Sequence, residues 1–176
     1  MSRLLKIVAM MGMMFAAQGS GIPRPTVPKI LEAPAGEEVI LVGHATGVQI
    51  YGCEAGADQK FAWVLKAPDA ELTDSDGKKI IHHFAGPTWK HNDGSEVVGK
   101  LKTKVDAPKP DAIPWLLLTA ASHTGTGVLS RVTSIQRINT EGGVAPGANT
   151  CDASANGKEA RVAYKADYYF YASGSK

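Results

Sequence analysis

The side chains best suited to chemistry crowd into one stretch, His82 to Ser95, which reads HHFAGPTWKHNDGS. It holds His82, His83 and His91, three of the chain's five histidines, together with Trp89 and Asp93. Two imidazoles and a carboxylate suit a transition metal or general acid–base work. His82 and His83 are neighbours, so in a strand they face opposite sides of the sheet and only one of them lines a given pocket. His83, His91 and Asp93 converge only if residues 83 to 97 fold back as a hairpin or compact loop, and His123 is the further metal candidate. No HxH or HxxxH spacing accompanies these residues, so neither a metal nor another cofactor is expected. The plainer alternative is a hydrogen-bonded His83 in the core and an exposed His91.

Aromatic residues are the other candidates for ligand contact. Gly86-Pro87-Thr88-Trp89 reads as a rigid corner with Trp89 either filling the core or stacking on a ligand. Tyr169 and Tyr171 fall on one face of the last strand, where they either meet a sugar ring or partner, or lie under another part of the chain. No serine nucleophile stands out. Ser95, Ser122 and Ser130 have no GxSxG elbow around them.

These residues must be positioned by strands. Glu38–Val42 and Val48–Cys53 are short β-rich runs separated by glycines, and Phe61–Leu65 puts Phe61, Trp63 and Leu65 on one face. Lys79–Phe84 and the Asn92-Asp93-Gly94-Ser95 turn read as hairpin parts. Lys100–Val105 alternates, with Leu101, Thr103 and Val105 inward and lysines outward. Trp115–Ala121 is continuously apolar, as a strand covered on both faces would be. Val162, Tyr164, Ala166, Tyr168 and Phe170 alternate in a terminal strand of the kind that closes a sheet. The expectation is an all-β fold, a single-domain antiparallel sandwich or barrel of about 8–10 short strands. Residues 20–36 carry Pro23, Pro25, Pro28 and Pro34 and form a proline-rich extended arm, leaving 37–176 as the β domain.

Residues 1–19 have the layout of a secretory signal. Arg3 and Lys6 precede the apolar run Ile7–Ala17, and Ala17 and Gly19 supply the small residues at a cleavage site. Eleven apolar residues are too few for a bilayer, which needs about 20, so no transmembrane segment is expected in the mature chain. No cysteine stands at the cleavage point, so no lipid anchor is expected. Without the leader, 17 basic residues face 17 acidic ones. A neutral domain lacks the basic footprint of a nucleic-acid binder. Cys53 and Cys151 read as one disulfide in an oxidising compartment, closing a loop of more than half the chain. The rival reading, a metal pair, has no CxxC spacing behind it.

Taken together, Tyr51-Gly52-Cys53, WVLKAPDAEL at 63–72, HFAGPTW at 83–89, DGS at 93–95, IPWLLL at 113–118, INTEGG at 138–143 and YYFY at 168–171 resemble domain-of-unknown-function family 3455. The resemblance runs from about Pro28 to Ala172. It implies a single secreted or periplasmic domain, found in bacteria, fungi and plants, with no settled activity. Some related sequences carry a malate-dehydrogenase label, which this chain does not support. Gly125-Thr126-Gly127 is its only dinucleotide-like feature. Ser130 stands where the fingerprint needs a third glycine, and no acid follows about 20 residues on.

The functional expectation is a secreted or periplasmic non-enzymatic binding or structural module, with a polysaccharide or other envelope component as partner. Trp89, His83, His91, Asp93, Tyr169 and Tyr171 are its candidate ligand residues. The alternative is a metal-binding protein or hydrolase at His83, His91 and Asp93.

Overall fold

Tyr164, Ala166, Tyr168 and Phe170 all enter one buried cluster, as their alternation requires. Their strand, β8 (Glu159–Ser173), pairs with β7 (Ser134–Gly142) along one edge and with β1 (Glu37–Ala55) along the other. The remaining strands are β2 (Phe61–Thr73), β3 (Lys79–Phe84), β4 (Thr88–His91), β5 (Glu96–Val105) and β6 (Trp115–Thr124). Each pairs antiparallel with its neighbours in chain order, so the sheet closes as an eight-stranded up-and-down barrel. These relations come from a computed structural model, which describes residues 21–174. The segment read as a leader lies outside the described residues. Among the described residues the only helical pieces are 3-10 turns at Lys29–Leu31, Val128–Arg131 and Ala148–Thr150. Between sandwich and barrel, closure decides for the barrel.

The two short runs read at 38–42 and 48–53 are one strand, because the glycines between them admit a neighbour and do not end it. A Cβ on Gly47 would sit 2.2 Å from the Asp69 carbonyl oxygen and 2.5 Å from the Ala70 Cα. Only glycine lets β2 press this closely against β1. A bulge at Lys66, opposite Ile50 and Tyr51, then re-aims the upper part of β2.

Alternating strand directions sort the loops into two ends. At the upper end lie the segments 56–60, 85–87, 106–114 and 143–158. Cys53 and Cys151 are joined there, with Cα atoms 5.5 Å apart, tying the end of β1 to the long 143–158 loop. Trp63 Nε1 donates to Thr150 Oγ1 at 2.9 Å beside the bridge. At the lower end the 125–133 segment folds under the barrel, burying Leu129 and Val132 in the main core. That end is plugged.

The proline-rich arm lies on the barrel's outer surface. Leu31 is fully buried, and Ala33 packs against Val39 and Tyr171. Gln136 bridges the contact, donating through Nε2 to the Leu31 carbonyl at 2.6 Å and accepting from the Tyr171 hydroxyl at 2.5 Å. Arg24 lies over the Tyr171 ring, 5.3 Å from its centroid. This cover explains why Tyr171 is buried and Tyr169 half-buried on the face of β8 opposite the main core.

One part of the wall is low. β3 and β4 are short, so β2 is paired on that side only over Ala70–Thr73, and β5 only near Glu96–Val98. Phe61–Asp69 and Lys100–Val105 therefore face each other across a notch above the β3–β4 hairpin. Pro68 and the lysines Lys66, Lys102 and Lys104 blunt these two open edges against further strand pairing. Leu101, expected inward and buried, lines the notch and is 51% exposed because no strand stands in front of it.

Removing the disulfide releases a loop of sequence separation 98 in the unfolded chain. Reduction, or paired Cys53→Ser and Cys151→Ser substitution, should lower the unfolding free energy by about 4–5 kcal/mol in a urea titration. An unchanged midpoint would show that the bridge does not restrict the unfolded state in this way.

Candidate functional site

His83 is held where its chemistry is restricted to that of a neutral ring. It sits in β3 facing the barrel interior, 1% exposed, opposite Trp89 of β4. The two rings stack with centroids 4.3 Å apart and planes 6° from parallel. Tyr168 of β8 closes on both edge-on, at 5.2 Å from His83 and 5.5 Å from Trp89. Nδ1 donates to the Thr88 carbonyl at 2.9 Å, which leaves the lone pair on Nε2. Burial pushes the His83 pKa down to about 3, against the pull of the Thr88 carbonyl and with help from the positive charge of Arg137.

This stack lines a cavity of about 490 Å³ in the upper half of the barrel. Every strand contributes to its lining, among them Gln49 from β1, Leu101 and Lys104 from β5, Leu116 from β6 and Arg137 from β7. The notch gives access, with Leu65 and Leu101 at its sides, 52% and 51% exposed, and Gly86-Pro87 below. The arrangement is a concave, mostly apolar pocket with a few convergent polar groups in the mouth of a barrel. Lys66, Lys104 and Arg137 are its charged members, and no carboxylate lines it. Arg137 is fixed by donating through Nε and Nη2 to the Pro114 carbonyl at 3.3 and 2.9 Å.

The other candidate residues lie elsewhere. His91 and Asp93 are at the plugged lower end, since β4 runs downward from Trp89. Asp93 holds that end together. Its carboxylate accepts from the Ser95 hydroxyl at 2.5 Å, the Ser95 amide at 2.9 Å and the Val128 amide at 2.8 Å, while the Asp93 amide donates to His91 Nδ1 at 3.1 Å. Burial acts to raise the Asp93 carboxyl, but these hydrogen bonds outweigh it and hold it well below the usual carboxylate range. Gly127, at φ +149, is required here because a Cβ would meet the Asp93 carboxylate at 2.3 Å. Ser95 is fully buried and donates to Asp93 while accepting from the Leu129 amide, so its oxygen is part of a clamp.

His123 Nε2 donates to the Val132 carbonyl at 2.7 Å at the same end. Among the described residues no group of three or more His, Cys, Asp or Glu side chains is placed to hold one ion. Tyr171 is buried beneath the arm and Tyr169 is half-buried beside it. Burial pushes the Tyr171 phenol up to about 12, although Arg24 opposes the shift.

The cavity thus brings together His83 and Trp89, both foreseen, with Gln49, Lys104, Arg137 and Tyr168, which were not singled out. Alternation carried the signal for two of the polar positions: Gln49 is two residues from Tyr51, and Arg137 two from Ile135, both on inward-facing rows. Their polarity on an apolar row is what marks them. Alternation put Lys104 outward, and the irregularity between Leu101 and Thr103 is what brings Lys104 to the cavity side with Leu101.

The family model described as "Protein of unknown function (DUF3455)" matches residues 34–172. That span includes seven strands whole, all of β8 but its last residue, and every residue lining the cavity. No curated protein and no solved structure matches the chain.

His83 gives the fold a pH dependence whose sign follows from its neutral burial. Below the unfolded value of 6.5 the unfolded ring takes up a proton that the folded ring refuses until about pH 3. Stability should be fully present above pH 6.5 and fall with acidification, by up to about 1.4 kcal/mol per pH unit. Between about pH 6.5 and 5.5 ordinary carboxylates are ionised in the unfolded chain as well, so the slope there reports histidine ionisation. Denaturant titrations of His83→Asn should show a flatter slope over that window; an equal slope would assign the effect elsewhere.

Proposed function

We propose that this chain, which belongs to that family of proteins of unknown function, is a non-enzymatic binding module that takes a small molecule into its barrel through the notch. The observation that carries the reading is the cavity of about 490 Å³ lined from all eight strands, with a rigid aromatic stack as its floor. Such a site is preformed. Its walls are strands, and its floor is locked by packing and by the His83–Thr88 hydrogen bond.

A glycan fits this reading as a single terminal ring inside the cavity. An extended polysaccharide would need aromatic faces open to solvent, whereas Trp89 is 1% exposed and Tyr171 lies under the arm. A hydrolase at His83, His91 and Asp93 is less well supported, because those residues divide between the cavity and the plugged end. The dehydrogenase label finds no βαβ unit: Gly125-Thr126-Gly127 sits in the lower turn and leads through a 3-10 turn into β7. Among the described residues no helix is long and apolar enough to cross a membrane.

Export to a secreted or periplasmic location belongs to the same proposal. The Cys53–Cys151 bridge suits an oxidising compartment, and residues 1–19 read as the leader that would take the chain there.

Chain recovered from an exporting host should begin at Ser20 by intact mass; retention of residues 1–19 would remove the export reading. The binding reading is tested by native mass spectrometry of the same material. The unmodified chain should carry a bound small molecule, and Ala67→Trp, which fills the notch, should lose it. Turnover of a compound that depended on His83 would replace the non-enzymatic reading with a catalytic one.

A further inference from the structure

We infer that the cavity's ligand is an amphiphilic anion, a small carboxylate-bearing molecule whose apolar body lies between Leu65, Leu101 and Leu116 while its head meets Arg137. The inference rests on the binding reading above and names the ligand class for that site. It follows from a mismatch of charge and hydrogen-bond capacity inside the barrel.

The lining offers donors and cations without matching acceptors. Arg137, Lys66 and Lys104 are its only charged residues. Lys66 is paired at the rim with Glu54, outside the lining, whereas Lys104 forms no ion pair among the described residues. Arg137 spends two of its donors on one neutral carbonyl, that of Pro114, so its positive charge stands in the lining without a counter-ion. Two further donors on lining residues have no partner within the protein: Gln49 Nε2 and Trp89 Nε1, on side chains 2% and 1% exposed. A half-buried cation with no counter-charge beside it is a costly state, and a carboxylate set against Arg137 relieves it.

A second feature sets the rest of the molecule. Leu65 and Leu101 are among the few large apolar side chains left half exposed, and both stand at the notch. Leu116 and Leu118 continue this apolar wall inward toward the Trp89 ring. A small polar anion such as acetate leaves those surfaces wet. A neutral lipid covers them but leaves Arg137 unmatched. Only a ligand with both parts satisfies the site, and the neutral His83 adds no second charge to it.

The test compares ligands that share a body and differ in head charge. Oxidised, leader-free chain is titrated with decanoate, decanol and decylamine, following binding heat and tryptophan fluorescence. Decanoate should bind at least about tenfold more tightly than decanol, and decylamine more weakly than either. Arg137→Gln should abolish the difference between acid and alcohol while leaving decanol affinity in place. Arg137 also anchors the Pro114 segment, so Lys104→Gln, which leaves that anchor intact, serves as a second variant and should weaken decanoate several-fold. Equal affinity for all three compounds would overturn the anionic class and leave the binding cavity standing. Binding of none of them would overturn both readings. An acid preference that survives in both variants would show that the head group sits elsewhere.

Discussion

Closure of the sheet by β1 against β8 is the constraint from which the other features descend. The pairing runs from Glu37 opposite Ser173 to Gly52 opposite Glu159, nearly the full length of both strands. It removes the free edges that an eight-stranded meander would otherwise expose at its two ends. It also fixes the diameter, since eight tilted strands enclose a lumen just wide enough for side chains or one small ligand. Every inward residue must then share a narrow volume, which is why Gly47 and Ala45 stand on β1 where large aromatics enter from β8. The lower half is filled by Phe170 and by Leu129 and Val132 from below. The upper half is left partly empty because the wall there is incomplete.

The incompleteness is a matter of strand length. β2 and β5 are long, but β3 and β4, which separate them, have 6 and 4 residues. A two-strand gap in an otherwise closed barrel gives lateral access without a hinge or a lid. The two open backbone edges remain protected by Pro68 and by side-chain charge. The opening is therefore consistent with a stable free molecule, and the disulfide and arm hold the long strands on either side of it.

Much of this was legible in the residue pattern, for identifiable reasons. The period-2 alternation in Val162–Phe170 and the Asp-Gly turn at Asp93-Gly94 are local signals, and both mark real elements. The adjacency of His82 and His83 correctly separates them: His83 is buried inside, while His82 is outside beside Asp69. The notch was not legible, because it depends on where β3 and β4 stop relative to strands with which they are not contiguous. The same limit applied to His83, His91 and Asp93. Short sequence separation suggested one cluster, but a strand running from Trp89 to His91 spans from the cavity toward the plugged end. Arg137 and Gln49 were visible as polar residues on apolar rows, yet a row identifies a face of a strand and not what lies across the lumen from it.

The two ends of the barrel treat polar groups in opposite ways. At the lower end the Asp93 carboxylate is met by two hydrogen bonds from Ser95 and one from the Val128 amide, so its acceptors are matched within the protein. A site so fully satisfied has no remaining capacity for a ligand and is best understood as a staple between the β4–β5 turn and the plug. At the upper end Gln49 Nε2 and Trp89 Nε1 have no protein partner, and each buried unmade hydrogen bond costs about 1–3 kcal/mol. A fold that needed only stability would place apolar side chains at Gln49 and Arg137, where the surrounding strands would pack around them. Two of the unpartnered donors thus belong to residues lining the upper cavity, while the Asp93 carboxylate is matched at the lower end, and this contrast is what supports the binding reading of the upper cavity.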